Sequence, residues 1–239
     1  MRGDSFVSKL GSTVVVVPHP DDEALGCGGL LALLRQAGQP VAAVLVSDGT
    51  MSHPDSTVFS APARRAVRVT EFRHSLTILG ADEVAPLLLD LPDGQVPASA
   101  DAPGFMDAAN QLRVFLEQRQ AATVLVPWRR DPHPDHRATA QLVQAALAGM
   151  ARPPHRLEYV VWAWERAAPE DLPTAADAVA GFRVAIGAVA AKKQRAIAAH
   201  RSQMAPGVFT DDPNGFLLSA DMLARFAEPY EVFFAAIER

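Results

Sequence analysis

The sequence predicts an α/β fold in which a parallel sheet is covered by helices on both faces. Along the first two thirds of the chain, short apolar runs rich in β-branched residues alternate with longer helical stretches. Several of the short runs are uninterrupted by polar residues, as in strands that are buried on both faces. Strand alternating with helix is typical of parallel sheets, because each helix carries the chain back to start the next strand.

The first four elements follow this alternation. Residues 13–17 are an apolar run of four valines after a threonine, which predicts a buried strand. Residues 24–37 carry leucines at helical spacing and stop before a glycine, which predicts a helix. Residues 41–47 predict a second buried strand, and residues 64–79 a helix that again ends before a glycine.

The middle of the chain continues the pattern. Residues 84–91 and 123–127 predict the third and fourth strands, since both are short and apolar. Residues 105–119 and 137–147 have the spacing and the alanine and leucine content of helices. Residues 157–164 are apolar and aromatic, which predicts a fifth strand.

The last third gives weaker patterns. Residues 169–173 predict a loop, residues 184–200 a helix, and residues 204–214 an irregular segment with two prolines and a glycine. Residues 230–237 fit a short strand or a last helical turn, and periodicity does not decide between them. No domain-sized repeat and no linker interrupts the chain, so we expect one domain over residues 1–239.

Composition excludes several classes of protein. The chain has 239 residues, with 22 Lys+Arg against 27 Asp+Glu and a net charge of −5, and 49% of its residues are hydrophobic. These values exclude an intrinsically disordered chain and a nucleic-acid binder that works by bulk positive charge. The single cysteine, Cys27, has no partner for an intramolecular disulfide. No apolar run is long enough for a membrane span, and the start of the chain lacks a signal-peptide pattern, so we expect a cytoplasmic protein.

Polar residues follow the strands at the edge where open parallel sheets bind ligands. The first and fourth strands run into the most notable of these segments, residues 18–23 and 128–136. Both segments contain His-Pro-Asp followed by another side chain that can bind a metal. The second and third strands end in Ser-Asp-Gly and Pro-Asp-Gly. This repetition predicts a functional site at one edge of the sheet.

The spacing within the two motifs has a physical basis. Pro20 and Pro134 suit the first position of a helix, where no backbone N–H is needed. Residues three apart on a helical turn share a side, so we expect His19 to converge with Asp22 and His133 with His136. Adjacent residues face different ways, and the two neighbouring aspartates of the first motif therefore suit different tasks, such as metal ligand and base.

Two imidazoles and one carboxylate form a ligand set typical of catalytic zinc, with a position left for water. Zinc lowers the pKa of that water to about 7 and so creates a nucleophile near neutral pH. A second carboxylate can act as general base, and the remaining histidine can donate to the oxyanion or to the leaving nitrogen. Such a site hydrolyses an amide or an ester.

The same residues carry a family resemblance. VVVVPHPDDEALGCGG at 14–29, together with HPDHRAT at 133–139, resembles the LmbE-like or PIG-L family of zinc-dependent N-deacetylases. Further similarity lies in SDGTMSH at 47–53 and in the segment 193–203. The resemblance covers most of residues 13–203. It implies a Rossmann-like, three-layer α/β sandwich.

The resemblance also implies roles for individual residues. Asp21 would be the general base, His133 the electrophilic or acid group, and Asp135 the residue that orients His133. Arg68 would contact the substrate, although a lone arginine on a helix also suits a solvated face. Asp48 is a candidate because of its position at a strand end, where a hydrogen bond to a sugar hydroxyl or to a loop backbone explains it equally well. The implied metal ligands are His19, Asp22 and His136.

Members of the family remove acetyl, or occasionally larger acyl, groups from glucosamine-containing molecules. The resemblance therefore implies a small amino-sugar substrate and a Zn²⁺ cofactor, with Fe²⁺ as an alternative because it accepts the same ligands. Some relatives have a tyrosine where this chain has Asp131, which leaves the role of that position open. The roles of His53 and His200, the oligomeric state and the identity of the substrate are also open.

Three other functions remain as alternatives. An amidase or esterase on the same scaffold would act on a larger acyl group or on a non-sugar substrate. A non-catalytic module would bind a sugar or nucleotide and use a metal for structure alone. Phosphoryl chemistry on magnesium is disfavoured, because it prefers carboxylates to histidines and no Walker-type glycine loop is present.

Overall fold

All strands of the computed structural model, which describes residues 3–237, belong to one sheet. In chain order they are β1 (Thr13–Val17), β2 (Val41–Ser47), β3 (Leu87–Leu91), β4 (Thr123–Pro127), β5 (His155–Tyr159), β6 (Val179–Ala185) and β7 (Tyr230–Ala236). Their order across the sheet is β3-β2-β1-β4-β5-β7-β6. Strands β1 to β5 pair in parallel, and β7 runs antiparallel to both β5 and β6.

Helices cover both faces of this sheet. They are α1 (Asp4–Val7), α2 (Asp22–Gln36), α3 (Ala61–Leu79), α4 (Phe105–Gln118), α5 (Pro134–Ala148), α6 (Ala163–Arg166), α7 (Ala190–Ala199) and α8 (Ala220–Phe226). Alternate valines of β1 show the layering: Val15 and Val17 pack into a core with α2 and α3, whereas Val14 and Val16 pack into a second core with α4 and α5. The predicted three-layer α/β architecture is therefore confirmed.

The prediction for residues 184–200 was partly wrong. The segment begins as the end of β6, and the helix α7 starts only at Ala190. Strand β6 has the sequence VAGFRVA, which is poor in β-branched residues, and it is stabilised by pairing along its whole length with β7. Residues 230–237, which fitted either a strand or a helical turn, supply that partner strand. Helix α8 was not predicted.

Two further expectations at strand ends need correction. The fifth strand ends at Tyr159 rather than at residue 164, and the chain then enters the short helix α6. Pro134 is the first residue of α5, as predicted, but Pro20 lies outside α2, which begins at Asp22. Asp21 lies between Pro20 and the start of α2, and its φ of 131° is not a helical value. Among the described residues, no helix combines the length and the apolar character needed to cross a bilayer.

Candidate metal centre and active site

The ends of β1 and β4 bring the two His-Pro-Asp motifs together. The two strands are parallel neighbours, so the residues that follow them leave the same edge of the sheet. The ring centroids of His19 and His133 lie 4.7 Å apart, and those of His133 and His136 lie 5.2 Å apart. Nitrogens of the three rings lie within 4.8 Å of one another. The fold thus gathers the three histidines of the two motifs into one cluster.

Asp22 lies between two of these histidines. Its Oδ2 is 3.3 Å from His19 Nδ1 and 3.2 Å from His136 Nε2, and it also accepts a hydrogen bond from the backbone amide of His19. Burial alone would raise the pKa of Asp22, but His136 and His19 outweigh it and hold the pKa well below its usual range. The carboxylate is therefore ionised and faces both rings, which is how a shared metal ligand must be presented.

A further carboxylate stands behind each of these two rings. His19 Nε2 lies 3.0 Å from Asp135 Oδ2 and 3.2 Å from Asp93 Oδ1. His136 Nδ1 lies 3.5 Å from Asp131 Oδ1. Metal-binding histidines commonly face a carboxylate with the ring nitrogen that does not bind the metal, because this fixes the orientation of the ring. The arrangement leaves His19 Nδ1 and His136 Nε2, the nitrogens nearest Asp22, as the candidate metal-binding atoms.

Asp135 contacts His133 through its backbone amide, whereas its carboxylate lies against His19. The carboxylate contacts His19 and accepts backbone hydrogen bonds from Gly94, at 2.7 Å, and Val96. Only the backbone amide of Asp135 reaches His133, donating to Nδ1 at 3.2 Å. The reason is helix capping: His133 is the N-cap of α5, so its side chain accepts from an amide of the first turn.

His133 is the most accessible of the three histidines. Burial, together with the nearby His19 and His136, lowers its pKa to about 4, so the ring is neutral at neutral pH. Because Nδ1 accepts from a backbone amide, the proton of the neutral ring lies on Nε2. The ring also stacks on Trp162, with centroids 5.8 Å apart. His133 therefore offers one N–H donor in a fixed orientation.

Asp21 has a positive backbone φ and is held by hydrogen bonds with two neighbouring residues, Glu23 and Arg68. A φ of 131° is strained for a residue with a side chain. The Asp21 amide donates to Glu23 Oε2 at 3.1 Å, and Arg68 Nη2 donates both to Pro20 O at 2.6 Å and to Asp21 Oδ2 at 3.2 Å. Burial raises the pKa of Asp21 to about 7, although Arg68 acts in the opposite direction. A carboxyl with such a pKa can take up and release a proton near neutral pH.

Glu23 is in turn held by His200, whose position answers a question that the sequence left open. His200 Nε2 lies 2.7 Å from Glu23 Oε1, and neither side chain is exposed. Burial lowers the pKa of His200, but Glu23 outweighs it and the pKa is raised. His200 is thus connected through Glu23 to the backbone of Asp21, and it does not contact the histidine cluster directly.

Arg68 and Asp48 were both expected near the substrate, but only Arg68 lines the cavity. Arg68 is buried on α3 and lines the cavity beside the cluster. Asp48 is not among the lining residues: its Oδ1 accepts from the amide and hydroxyl of Thr50 and from the Asp93 amide. The structure shows the loop-backbone hydrogen bond expected of Asp48, which directly follows β2 and fixes the turn there. A contact of Asp48 with the substrate stays a prediction.

His53 lies away from the cluster. It is buried, contacts Ser52 Oγ through Nδ1 at 3.2 Å, and packs on Phe209 with ring centroids 4.9 Å apart. Gly215 lies so close that a Cβ there would come within 1.9 Å of the His53 ring. His53 therefore joins the loop after β2 to the irregular segment near the C-terminus.

A cavity of about 220 Å³ opens beside the histidine cluster. Its polar lining comes from the loops after β1 to β4, from Arg68 on α3 and from Arg166 at the end of α6. Its apolar lining comes largely from the segment after β5 and from the region of α8. The lining residues are His19, Asp21, Asp22, Leu25, Met51, Ser52, Arg68, Asp93, Gly94, His133, Val161, Trp162, Arg166, Phe216, Leu218 and Met222.

The cluster fits a divalent metal. Both ring nitrogens of His136 are buried and face carboxylates without forming a well-aligned hydrogen bond, Nδ1 towards Asp131 and Nε2 towards Asp22. A metal at Nε2 would satisfy that nitrogen. Two imidazoles facing one ionised carboxylate are also the donors that zinc and ferrous iron accept. The described residues therefore contain a candidate metal site formed by histidine and aspartate.

Sequence reasoning did not assign a role to three residues of the site. Asp93 follows β3 and was noted only as a polar residue at a strand end, although it lies beside His19. Asp131 accepts backbone hydrogen bonds from His133 and Trp162. Glu23 is separated from Asp21 by one residue. The Glu23 carboxylate reaches the Asp21 amide because the backbone turns at Asp21. Such contacts depend on tertiary structure, and no local pattern reports them.

Comparison with known proteins gives a family match and several relatives. The family model described as GlcNAc-PI de-N-acetylase matches residues 14–147. A diacetylchitobiose deacetylase from Thermococcus kodakarensis is 30% identical over 128 residues, which cover 51% of this chain and 43% of that protein. The chain thus spans less than half the length of this curated relative.

Two solved structures are similar in sequence and fold. The N,N'-diacetylchitobiose deacetylase from Pyrococcus horikoshii, complexed with an inhibitor, is 25% identical in sequence and has a TM-score of 0.64. The match covers 81% of this chain and 70% of that structure's chain. The conserved protein TT1542 from Thermus thermophilus is 29% identical and has a TM-score of 0.60. That match covers 82% of this chain and 81% of the other chain. The match to the family model extends from β1 to the end of α5 and includes both His-Pro-Asp motifs.

Proposed function

The chain belongs to the PIG-L family, and we propose that it is a metal-dependent hydrolase that removes the N-acetyl group from a glucosamine-containing substrate. The observation that carries this proposal is the position of Asp22 between His19 and His136, with a second carboxylate, Asp21, directly beside it. The family description and the named activity of the diacetylchitobiose deacetylases support the N-acetylated sugar as substrate class.

Zinc is the metal that we propose. His19, Asp22 and His136 would hold it, and Asp135, Asp93 and Asp131 would orient the two rings from behind. Zinc, when bound, supplies a Lewis acid that polarises a carbonyl group and lowers the pKa of a water molecule to about 7. Ferrous iron accepts the same ligand set and is the alternative cofactor.

Asp21 would be the general base. With a pKa raised to about 7, an appreciable fraction of the carboxyl is ionised at neutral pH and able to accept a proton from the attacking water. The same carboxyl would then return that proton to the leaving amine. Arg68 and Glu23 hold Asp21 from two sides, so the carboxyl does not have to be ordered during the reaction.

His133 would stabilise the transition state as a neutral donor. Because His133 lines the cavity, its Nε2–H would donate to the carbonyl oxygen of the substrate as negative charge develops there. Because the pKa of His133 is lowered to about 4, the ring donates a hydrogen bond without carrying a charge of its own. The backbone bond from Asp135 and the stacked Trp162 fix the ring in this orientation.

A panel of N-acetylglucosaminides tests the reaction class. We expect primary amine to be released, the release to stop when a chelator removes the metal, and added zinc to restore it. Absence of turnover on every member by the zinc-loaded protein would contradict the proposal and favour a non-catalytic binding module. The single domain over residues 1–239 and the cytoplasmic location stay predictions from the sequence.

A further inference from the structure

One wall of the cavity is apolar except for Arg166, whose guanidinium lies 4.1 Å from the centroid of the Trp162 ring. Val161 and Trp162 follow β5, and Trp162 packs on Phe216 with ring centroids 5.4 Å apart. Leu218 and Met222, from the region of α8, belong to the same hydrophobic core as Val161. The cavity is therefore bounded on this side by the edge of the protein core.

The sheet order places this wall and the polar lining on opposite sides of the metal cluster. The cluster lies at the ends of β1 and β4. Strands β2 and β3 lie beyond β1 and contribute Ser52 and Asp93, whereas β5 lies beyond β4 and leads into Val161 and Trp162. A substrate amide held at the cluster therefore has most of the hydrogen-bonding groups on one side. On the other side it has a mainly apolar surface, where Arg166 is the charged lining residue.

The apolar wall also extends to the bottom of the cavity, next to the candidate metal ligands. Leu25 lies one turn after Asp22 on α2, and it is 2% exposed, like Met222. Met51, by contrast, is 53% exposed and belongs to the loop after β2. The apolar surface thus begins beside the candidate metal ligands and is not confined to the mouth of the cavity.

The two halves of an N-acyl glucosamine differ in the same way. The sugar carries hydroxyl groups that need hydrogen-bond partners, which favours the side of β2 and β3. The acyl chain needs none and is stabilised by apolar contact. His133, the proposed donor to the carbonyl oxygen, stacks on Trp162, so a chain that continues from that carbonyl carbon meets the apolar wall.

We propose that this wall is an acyl subsite, and that the preferred substrate carries a linear acyl group longer than acetyl. The inference rests on the proposed N-deacylation at this site. An acetyl group presents a single methyl, which contacts only a small part of a wall formed by Val161, Trp162, Leu218 and Met222. Each methylene added to the chain would bury more of that surface.

Glucosamine carrying N-acetyl, N-propanoyl, N-butanoyl or N-hexanoyl groups provides the test on the zinc-loaded protein. We expect kcat/KM to rise about fourfold per buried methylene in the first steps, or about 15-fold from acetyl to butanoyl. A flat or falling series would overturn the acyl subsite while leaving N-deacetylation in place. A rate that rises with an octyl aglycone but not with acyl length would assign the wall to the other half of the substrate and would also overturn the inference.

A matched pair of variants localises the effect. Met222→Ala should reduce the preference for butanoyl over acetyl at least about fivefold, whereas Met106→Ala, at an exposed methionine on α4, should leave that preference unchanged. Met222→Leu restores most of the apolar volume and should restore the preference. An unchanged preference in folded Met222→Ala would contradict the assignment of the wall.

A binding measurement keeps the inference separate from the proposed activity. The acyl product is a carboxylate, so calorimetry can compare acetate with butanoate on the zinc-loaded wild-type protein. We expect butanoate to bind about 15-fold more tightly. Equal affinities would overturn the acyl subsite even if no amide were hydrolysed, and tighter butanoate binding without turnover would support the subsite while contradicting the proposed reaction.

Discussion

Replacement of Glu23 tests how the proposed base is held. The Asp21 backbone, with φ of 131°, carries strain of about 1–3 kcal/mol. The hydrogen bond from the Asp21 amide to the Glu23 carboxylate, at 3.1 Å, is worth about 1.5–3 kcal/mol because its acceptor is charged. The two free energies are of similar size, so this contact can offset most of the strain, with the Arg68 hydrogen bonds to Pro20 O and Asp21 as the second anchor.

In Glu23→Ala the contact is lost and Asp21 is free to relax, while Arg68 still holds its carboxyl from the other side. A displacement of a catalytic group, here the Asp21 carboxyl, by about 1 Å lowers the rate on the order of 10²-fold. We therefore expect kcat to fall about 10- to 100-fold, with KM and zinc content close to those of the wild type. Glu23→Gln keeps one acceptor oxygen and should retain more activity.

The assay is amine release from an N-acetylglucosaminide, with zinc measured by elemental analysis of the same samples. Glu71→Ala is the matched control, because Glu71 holds Ser202 through two hydrogen bonds close to His200 but does not contact Asp21. It should lower stability without lowering kcat. A kcat within about twofold of wild type in folded, zinc-loaded Glu23→Ala would refute the reasoning.

Three further predictions concern buried ionisable side chains. Lys193→Met leaves Glu231 without its 2.8 Å ion pair and should lower the free energy of unfolding by about 3–5 kcal/mol in urea titrations, whereas Lys192→Met, at the neighbouring position, should change it little. Burial lowers the pKa of His53, so its contribution to stability is present above about pH 6.5 and is lost as the pH falls; the urea midpoint of the wild type should therefore drop more between about pH 7 and 5 than that of His53→Gln. Asp131→Asn removes the carboxylate behind a candidate ligand histidine and should weaken zinc affinity about 10- to 100-fold in chelator competition, and unchanged affinity would contradict that positioning role.

The sequence predicted the parallel part of the sheet well, because apolar runs such as residues 13–17 and 41–47 are buried on both faces and leave a local signal. It failed at β6, where the strand conformation depends on pairing with β7, a strand some fifty residues later in the chain. Stability there comes from a partner that no local window contains.

The candidate site was predicted to a similar extent. The spacing of the two His-Pro-Asp motifs predicted which side chains meet, because helix starts after neighbouring strands have little freedom. It did not predict the Asp135 carboxylate on His19, since that contact depends on the loop after β3 donating from Gly94 and Val96. Nor did it predict the positive φ of Asp21, because an aspartate after proline normally continues into a helix.

The most direct test of the account compares neighbouring carboxylates by zinc content and turnover together. We predict that Asp21→Asn keeps about one zinc per chain but loses at least about 10²-fold in kcat, since it removes a general base and leaves the ligands in place. Asp22→Asn should lose both zinc and turnover. An Asp21→Asn protein with near-normal turnover, or an Asp22→Asn protein that binds zinc as tightly as the wild type, would contradict the separate roles of base and metal ligand.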